Sequence, residues 1–283
     1  EVNAMDFCVR DDCTWLYPDS PLAGARAARL DAPRGGHAAF QLLLSAGEGA
    51  CRLSFAWREA GGPPARLYRL REVGVNENTA PTLMTTTDYG ACRDYVTRRA
   101  PFAVYDALLP CEPGRPAEGR AFWISVEVPP DQAPGRYCGA LTLERGGQRA
   151  VCPVECRVYA AQVPAAGAGR LGMLNFFCYE NIAAQHGAAE GSREWRRLMR
   201  RYIRAQLDMR CTHILLPSGR PLTEDGRLVG FDFSLAEEVG RIALEEGAPK
   251  LCGGHVAHWH EWTDTEYYPF WDETLPVTGE EGY

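Results

Sequence analysis

The chain changes its hydrophobic rhythm once, at Pro164-Ala165-Ala166-Gly167-Ala168-Gly169, and that change limits what it can fold into. Before it, short apolar runs are punctuated by Gly, Pro and Asp: 38–44, 53–57, 67–75, 122–128, 140–143 and 151–158. Each is rich in Val, Leu, Phe or Tyr, and from Ile124 to Val128 apolar and polar residues alternate, as in a strand with one wet face. Gly146-Gly147 between Leu141-Thr142-Leu143 and Val151-Cys152-Pro153-Val154 marks a hairpin. Many short strands with Gly/Pro turns predict an all-β sandwich over 5–163. A small-residue joint follows over 164–170.

After the joint the rhythm becomes strand, helix, strand, helix, strand. Leu171–Phe177, His213–Leu216 and Leu251–His258 read as strands, and Ser192–Met209 and Leu235–Glu246 as helices. Trp195, Leu198, Met199, Tyr202 and Ile203 fall on one face of the first helix, for which Ser192 is a candidate N-cap. The segment 171–283 therefore predicts three βα units of an incomplete (β/α)₈ barrel, since a closed barrel needs about 250 residues. Three parallel strands alone would leave edges and a face uncovered, so a longer polypeptide is the expectation.

Composition narrows the function classes. With 283 residues, 46% hydrophobic and 24% charged, the chain is an ordinary globular one. Its net charge of −7 argues against a nucleic-acid partner. No apolar run reaches the ~18–20 residues of a membrane span, and no membrane partner is expected. The 11 cysteines are odd in number, contain no CxxC spacing, and several sit within apolar runs. Reduced, buried thiols and a cytoplasmic location fit them best. Met5 follows Glu1-Val2-Asn3-Ala4, which reads as a remnant, so a secreted precursor stays open.

Three motifs have plain readings. Gly167-Ala168-Gly169-Arg170-Leu171-Gly172 spells GxGxxG, but it precedes a strand, whereas the dinucleotide fingerprint follows one and opens a helix. No cofactor is expected from it. Arg193, Arg196, Arg197, Arg200, Arg201 and Arg204 lie opposite the apolar face of their helix, as a solvated outer face does. His258 and His260 would share one side of a strand, with His255 on the other, yet no carboxylate or Cys at firm ligand spacing completes a zinc set, and no metal is assigned.

The chemistry is denser at the C-terminal ends of the barrel-like strands, where such folds place their sites. His255-Val256-Ala257-His258-Trp259-His260 runs into Glu261, Trp262, Asp264, Glu266, Tyr267, Tyr268, Phe270 and Trp271. Indole faces stack on sugar rings, and imidazoles and carboxylates take hydroxyls. Tyr179-Glu180-Asn181 follows the first strand in the same way. The candidate substrate-binding residues are Tyr179, Glu180, Asn181, His258, Trp259, His260 and Trp262. Asp272-Glu273 is an adjacent acidic pair, but nothing near it in sequence sets two different pKa values, and no catalytic residue is assigned.

Three tracts carry a resemblance: Arg34-Gly35-Gly36-His37-Ala38-Ala39-Phe40-Gln41-Leu42-Leu43-Leu44, Pro129-Pro130-Asp131-Gln132-Ala133-Pro134-Gly135-Arg136-Tyr137-Cys138-Gly139, and His258-Trp259-His260-Glu261-Trp262 through Leu275-Pro276-Val277-Thr278-Gly279. Together they resemble bacterial proteins similar to glycoside hydrolase family 123, the β-N-acetylgalactosaminidases, which join an N-terminal β-sandwich to a (β/α)₈ barrel. The resemblance implies retaining, substrate-assisted hydrolysis of an N-acetylhexosamine-containing glycan. It also implies an Asp-Glu pair on a later barrel strand, so this chain is expected to be inactive alone. The alternative from another class is a non-catalytic carbohydrate-binding or assembly module.

Overall fold

A computed structural model describes residues 5–80, 85–88, 90, 96–169, 171–176, 179–225, 227–254, 257–258 and 268–269; at 85, 180, 257–258 and 268–269 it describes the backbone alone. The chain divides into two compact units, Glu1–Val163 and Pro164–Tyr283.

The first unit is built of strands. In chain order they are β1 (Phe7–Asp11), β2 (Ala28–Arg34), β3 (His37–Leu44), β4 (Cys51–Trp57), β5 (Ala65–Val75), the short pair β6 (Asn78–Thr79) and β7 (Thr85–Thr86), β8 (Phe102–Cys111), β9 (Pro116–Ala117), β10 (Ala121–Glu127), β11 (Gly135–Arg145) and β12 (Gln148–Gln162). Five form one sheet in the order β1-β3-β10-β5-β8, and five form a second in the order β2-β12-β11-β4-β9. Pairing within them is antiparallel except between β2 and β12. Among the described residues this unit contains no α-helix.

Alternation decides which side chains meet between the sheets. Along β12, Cys152, Val154, Cys156 and Val158 are buried. They pack with Leu141 and Leu143 of β11 against Phe40, Leu42 and Leu44 of β3 and Phe122, Ile124 and Val126 of β10. Burial pushes the thiols of Cys152 and Cys156 up to about 11, so they serve as small apolar side chains. Gly146 and Gly147 turn β11 into β12 with φ of +57° and +79°, values that an Asn-Gly or Gly-Gly hairpin accommodates and a β-branched residue does not.

One sheet is covered on its outer side too. The connection from β1 to β2 crosses it, and Leu16 packs there with Cys8, Leu43, Leu70, Tyr105 and Ala121. This second layer explains why Phe40 to Leu44 is buried without interruption, although a sheet with one wet face would alternate.

The second unit contains α1 (Tyr179–His186), α2 (Arg193–Asp208), β13 (His213–Leu215), β14 (Arg220–Glu224), β15 (Arg227–Asp232), α3 (Ser234–Glu245), β16 (Lys250–Cys252), β17 (Ala257–His258) and β18 (Tyr268–Pro269). β13 and β16 pair in parallel, and Leu174 makes a parallel bridge to His213 on the other side of β13. Ser192 caps α2 by accepting the Trp195 N–H at 3.1 Å. Trp195, Leu198, Met199 and Ile203 pack with Ile214 of β13 and Val239, Ile242 and Ala243 of α3.

Two expected strands are shorter than their sequence runs. Among the described residues 171–176 there is one isolated bridge, Leu174 to His213, and Leu171 and Phe176 are exposed. The third strand stops at Cys252, before Gly253-Gly254, and Ala257–His258 pair antiparallel with Tyr268–Pro269. His258 thus lies on a small hairpin beyond the parallel strand. Gly167, inside the GxGxxG match, takes φ +83° in a turn, and a Cβ there would stand 2.5 Å from Pro249. That glycine is needed for a tight chain reversal. No described helix is long and apolar enough to cross a membrane.

Candidate functional site

Parallel strands deliver their following loops to a common end, and in the second unit two of these loops touch. Leu216 N–H donates to Cys252 O at 2.8 Å, carrying the parallel ladder one residue past β13. Beyond it, Gly254 lies so close to Pro217-Ser218 that a Cβ would be 2.6 Å from the Ser218 nitrogen. The segment around Leu174 runs beside β13: Thr212 and His213 N–H both donate to Met173 O, and the Met173 N–H donates to Thr212 Oγ at 2.7 Å.

The loop after β13 carries a hairpin that the alternation count did not single out. β14 and β15 pair from Arg220↔Asp232 to Glu224↔Arg227 around Asp225-Gly226, and Asp225 takes φ +49°. An Asp-Gly between apolar runs is itself a hairpin signal, so the information was present in the sequence. At the base of this hairpin Arg220 binds both carboxylate oxygens of Glu190, at 2.7 and 2.8 Å, tying it to the α1–α2 connection. Across the pair, Asp232 accepts the Ser234 N–H at 2.8 Å; that bond and the Ser234 hydroxyl, with help from the Arg220 charge, hold its carboxyl below the usual range. Glu190, Arg220 and Asp232 are polar groups at this end that sequence reading had not selected.

The predicted site residues are placed as follows. Tyr179 begins α1, where a loop was expected, and its ring is buried with Ile182 and Trp195 in the core of the unit. Glu180 lies in the first turn of the same helix, and Asn181 is exposed on it. The backbone of His258 pairs with Tyr268 after β16. Trp259, His260, Trp262, His255 and the Asp272-Glu273 pair lie outside the described residues.

The arginine-rich face of α2 is engaged in ion pairs. Arg196 meets Glu238, Arg197 meets Glu194 at 2.5 Å, Arg200 meets Glu246 at 2.8 Å and also Glu245, and Arg204 meets Glu246. The pairs of Arg196, Arg200 and Arg204 tie α2 to α3 and the residue after it, while Arg197–Glu194 lies within α2; four of the six arginines are thus taken up by carboxylates. Among the described residues, one cluster has metal-ligand atoms in reach of one another, Asp11-Asp12-Cys13 in the first unit. It is exposed, and Asp11 is taken up by the Thr14 hydroxyl at 2.9 Å and the Cys13 N–H.

No protein-family model matches the sequence, and no curated protein matches it significantly. By structure it is similar to a family 123 glycoside hydrolase from Clostridium perfringens, described in a study of glycolipid glycan hydrolysis. The TM-score is 0.64 at 10% identity, over 86% of this chain and 46% of that one. This chain thus spans less than half of that enzyme's length, and at such identity the likeness is one of fold. The M1 domain of titin (TM-score 0.23, 8% identity, 48% of this chain and 95% of that one) and the C-terminal domain of the Streptococcus agalactiae AgI/II polypeptide BspA (0.24, 12%, 54% and 49%) match too weakly to carry an argument.

Proposed function

We propose that this chain is the sandwich and the opening βα units of a glycosidase, and that further βα units complete its barrel. The fold likeness to the family 123 enzyme carries the reading. Support also comes from the parallel order of Leu174, β13 and β16, from the contact between the loops after β13 and β16, and from exposed Leu171, which such units would cover.

The proposed substrate is an N-acetylhexosamine-containing glycan. Its 2-acetamido oxygen would attack the anomeric carbon while a carboxylic acid protonates the leaving oxygen. The resulting bicyclic intermediate would then be opened by water on the same face, with retention. A second carboxylate would orient the acetamido group, and both carboxyl groups would come from the further units. The role left to this chain is to bind and orient: Glu180, Asn181, His258 and His260 take sugar hydroxyls, Trp259 and Trp262 stack on ring faces, and Tyr179 supports them from the core.

Chromogenic glycosides test this on the longest native polypeptide containing this sequence and on the 283-residue chain. The expected result is release from β-N-acetylgalactosaminide but not from β-galactoside, inhibition by a thiazoline analogue of the intermediate, and no turnover by the shorter chain. His258→Ala or Trp259→Ala in the longer protein should weaken ligand binding with little change in melting temperature. Turnover indifferent to the 2-acetamido group would refute the mechanism. Unchanged affinity with a large loss of stability in both variants would refute the site.

A further inference from the structure

The outer face of the β1-β3-β10-β5-β8 sheet carries a recess of about 340 Å³ that the glycosidase reading does not use. That volume lies at the lower end of the range for small-molecule sites, about 300–1,000 Å³, and suits one or two sugar rings. The floor is laid by strand register. Gln41 and Trp123 stand abreast on β3 and β10, and Leu70 stands opposite Leu108 on β5 and β8. The wall is the connection that crosses the sheet after β1. Gln41, 4% exposed, donates its side-chain amide to Asp11 O at 2.9 Å and Thr14 O at 2.6 Å, and Tyr105 N–H donates to Leu16 O at 2.9 Å. These bonds hold the segment from Asp11 to Leu16 at both ends, and between them Trp15 is presented with 61% of its surface exposed.

An indole left this far in water, on a segment fastened at both ends, has no packing role that accounts for it. Burial would return about 25 cal/mol per Å² of its apolar surface, so its exposure favours a partner. Around it the recess combines Trp123, Leu70 and Leu108 with the exposed carboxylates of Asp12 and Asp106, and no Arg, Lys or His lines it. Anionic ligands are therefore disfavoured. Burial, and secondarily the Glu72 carboxylate, push the Tyr105 phenol up to about 12, so it stays neutral at the floor. A quaternary ammonium needs several ring faces closed around it, whereas Tyr105 is 5% exposed and offers none. A larger recess of about 840 Å³ between β1 and β2 has mixed charges and no exposed aromatic face, since Phe40 in it is 2% exposed.

We infer that this recess is a second carbohydrate site: a neutral pyranose stacks its C–H face on Trp15, and Asp12 and Asp106 accept its hydroxyl protons. The site lies wholly in the first unit and is independent of the loops proposed to bind substrate in the second.

Saturation-transfer NMR and calorimetric titration of the 283-residue chain test it, with methyl β-galactoside, methyl β-glucoside, methyl β-N-acetylgalactosaminide and choline as probes up to about 50 mM. At least one methyl glycoside should bind. Trp15→Ala should weaken it about ten-fold or more, and Asp106→Asn several-fold, without lowering the melting temperature, since both side chains are exposed. His258→Ala and Trp259→Ala should leave this binding unchanged. Binding that survives Trp15→Ala but is lost in Trp259→Ala would overturn this site while favouring the one in the second unit. No binding by any glycoside, or binding of choline alone, would overturn it outright, and the glycosidase reading would then still rest on turnover by the longer polypeptide.

Discussion

Gly254 and Ser218 pack backbone to backbone: a Cβ on Gly254 would stand 2.6 Å from the Ser218 nitrogen and 2.7 Å from its Cα. The two residues follow different parallel strands, β16 and β13, so this contact brings together the loops that build the candidate site. Because the obstacle is backbone, a methyl group cannot be relieved by a side-chain rotation.

Gly254→Ala should therefore destabilise the second unit by about 1–3 kcal/mol, as overpacking does. Among the described residues all α-helices lie in Pro164–Tyr283, so ellipticity at 222 nm during urea unfolding reports mainly that unit. A midpoint equal to that of the parent would mean that the loops part freely.

A second consequence concerns pH. Glu246, just past α3, accepts from Arg204 and, at 2.8 Å, from Arg200. Its side chain is 7% exposed, yet it is a surface group, covered by guanidinium groups and not sunk in the core. The Arg204 bond first, joined by Arg200 and opposed by desolvation, holds its carboxyl below the usual range. A folded pKa below the unfolded one contributes stability above the unfolded value, and that stability is lost as pH falls through the folded value. Glu246→Gln should lower the 222 nm unfolding midpoint at pH 7, and the gap to the parent should close as pH falls through and below the ordinary carboxylate range. A gap that persists in acid would assign the effect to packing.

Thiol chemistry gives a third test. Nine cysteines are described, and all nine are free. Cys13 is exposed, but the neighbouring Asp12 charge raises its thiol, while Cys152 and Cys156 lie in the sandwich core. Labelling of the folded protein should reach Cys13 well before those two, and Asp12→Asn should speed it at pH 7–8. In denaturant without reductant all 11 should titrate. Two fewer would reveal a disulfide involving Cys92 or Cys178.

What could be read from sequence followed how local its physical cause was. Period-two burial in β12 and the apolar stripe of α2 were legible because one face of each meets one core. The uninterrupted burial of Phe40 to Leu44 was legible as a strand, but its cause, the segment that crosses the sheet after β1, was not. α1 is only eight residues long and weakly patterned, too short to outweigh the reading of Tyr179-Glu180-Asn181 as a loop. The β14–β15 hairpin had its Asp-Gly signal, and the Gly253-Gly254 pair marked where β16 ends; both were local cues passed over in favour of strand length. The aromatic recess on the sandwich was beyond sequence reading, because strand order brings Trp123 and Asp106 together and the segment crossing the sheet after β1 adds Trp15.

Gln206 supplies the last prediction. It sits on the buried face of α2, 4% exposed, and among the described residues neither its side-chain oxygen nor its nitrogen has a hydrogen-bond partner. A buried amide left without partners costs about 1–3 kcal/mol relative to a state in which water solvates it. Leucine keeps most of the volume, has at least equal helix propensity and carries no polar atom to desolvate. Gln206→Leu should accordingly raise the 222 nm unfolding midpoint in urea, with an unchanged slope, by an amount corresponding to about 1 kcal/mol or more. Gln206→Ala would also remove the amide, but it would open a cavity, so it should fall below the leucine variant. A loss of stability in Gln206→Leu would show that the amide is bonded in the folded chain, and a search for its partner would begin with residues 177–178 and 255–267.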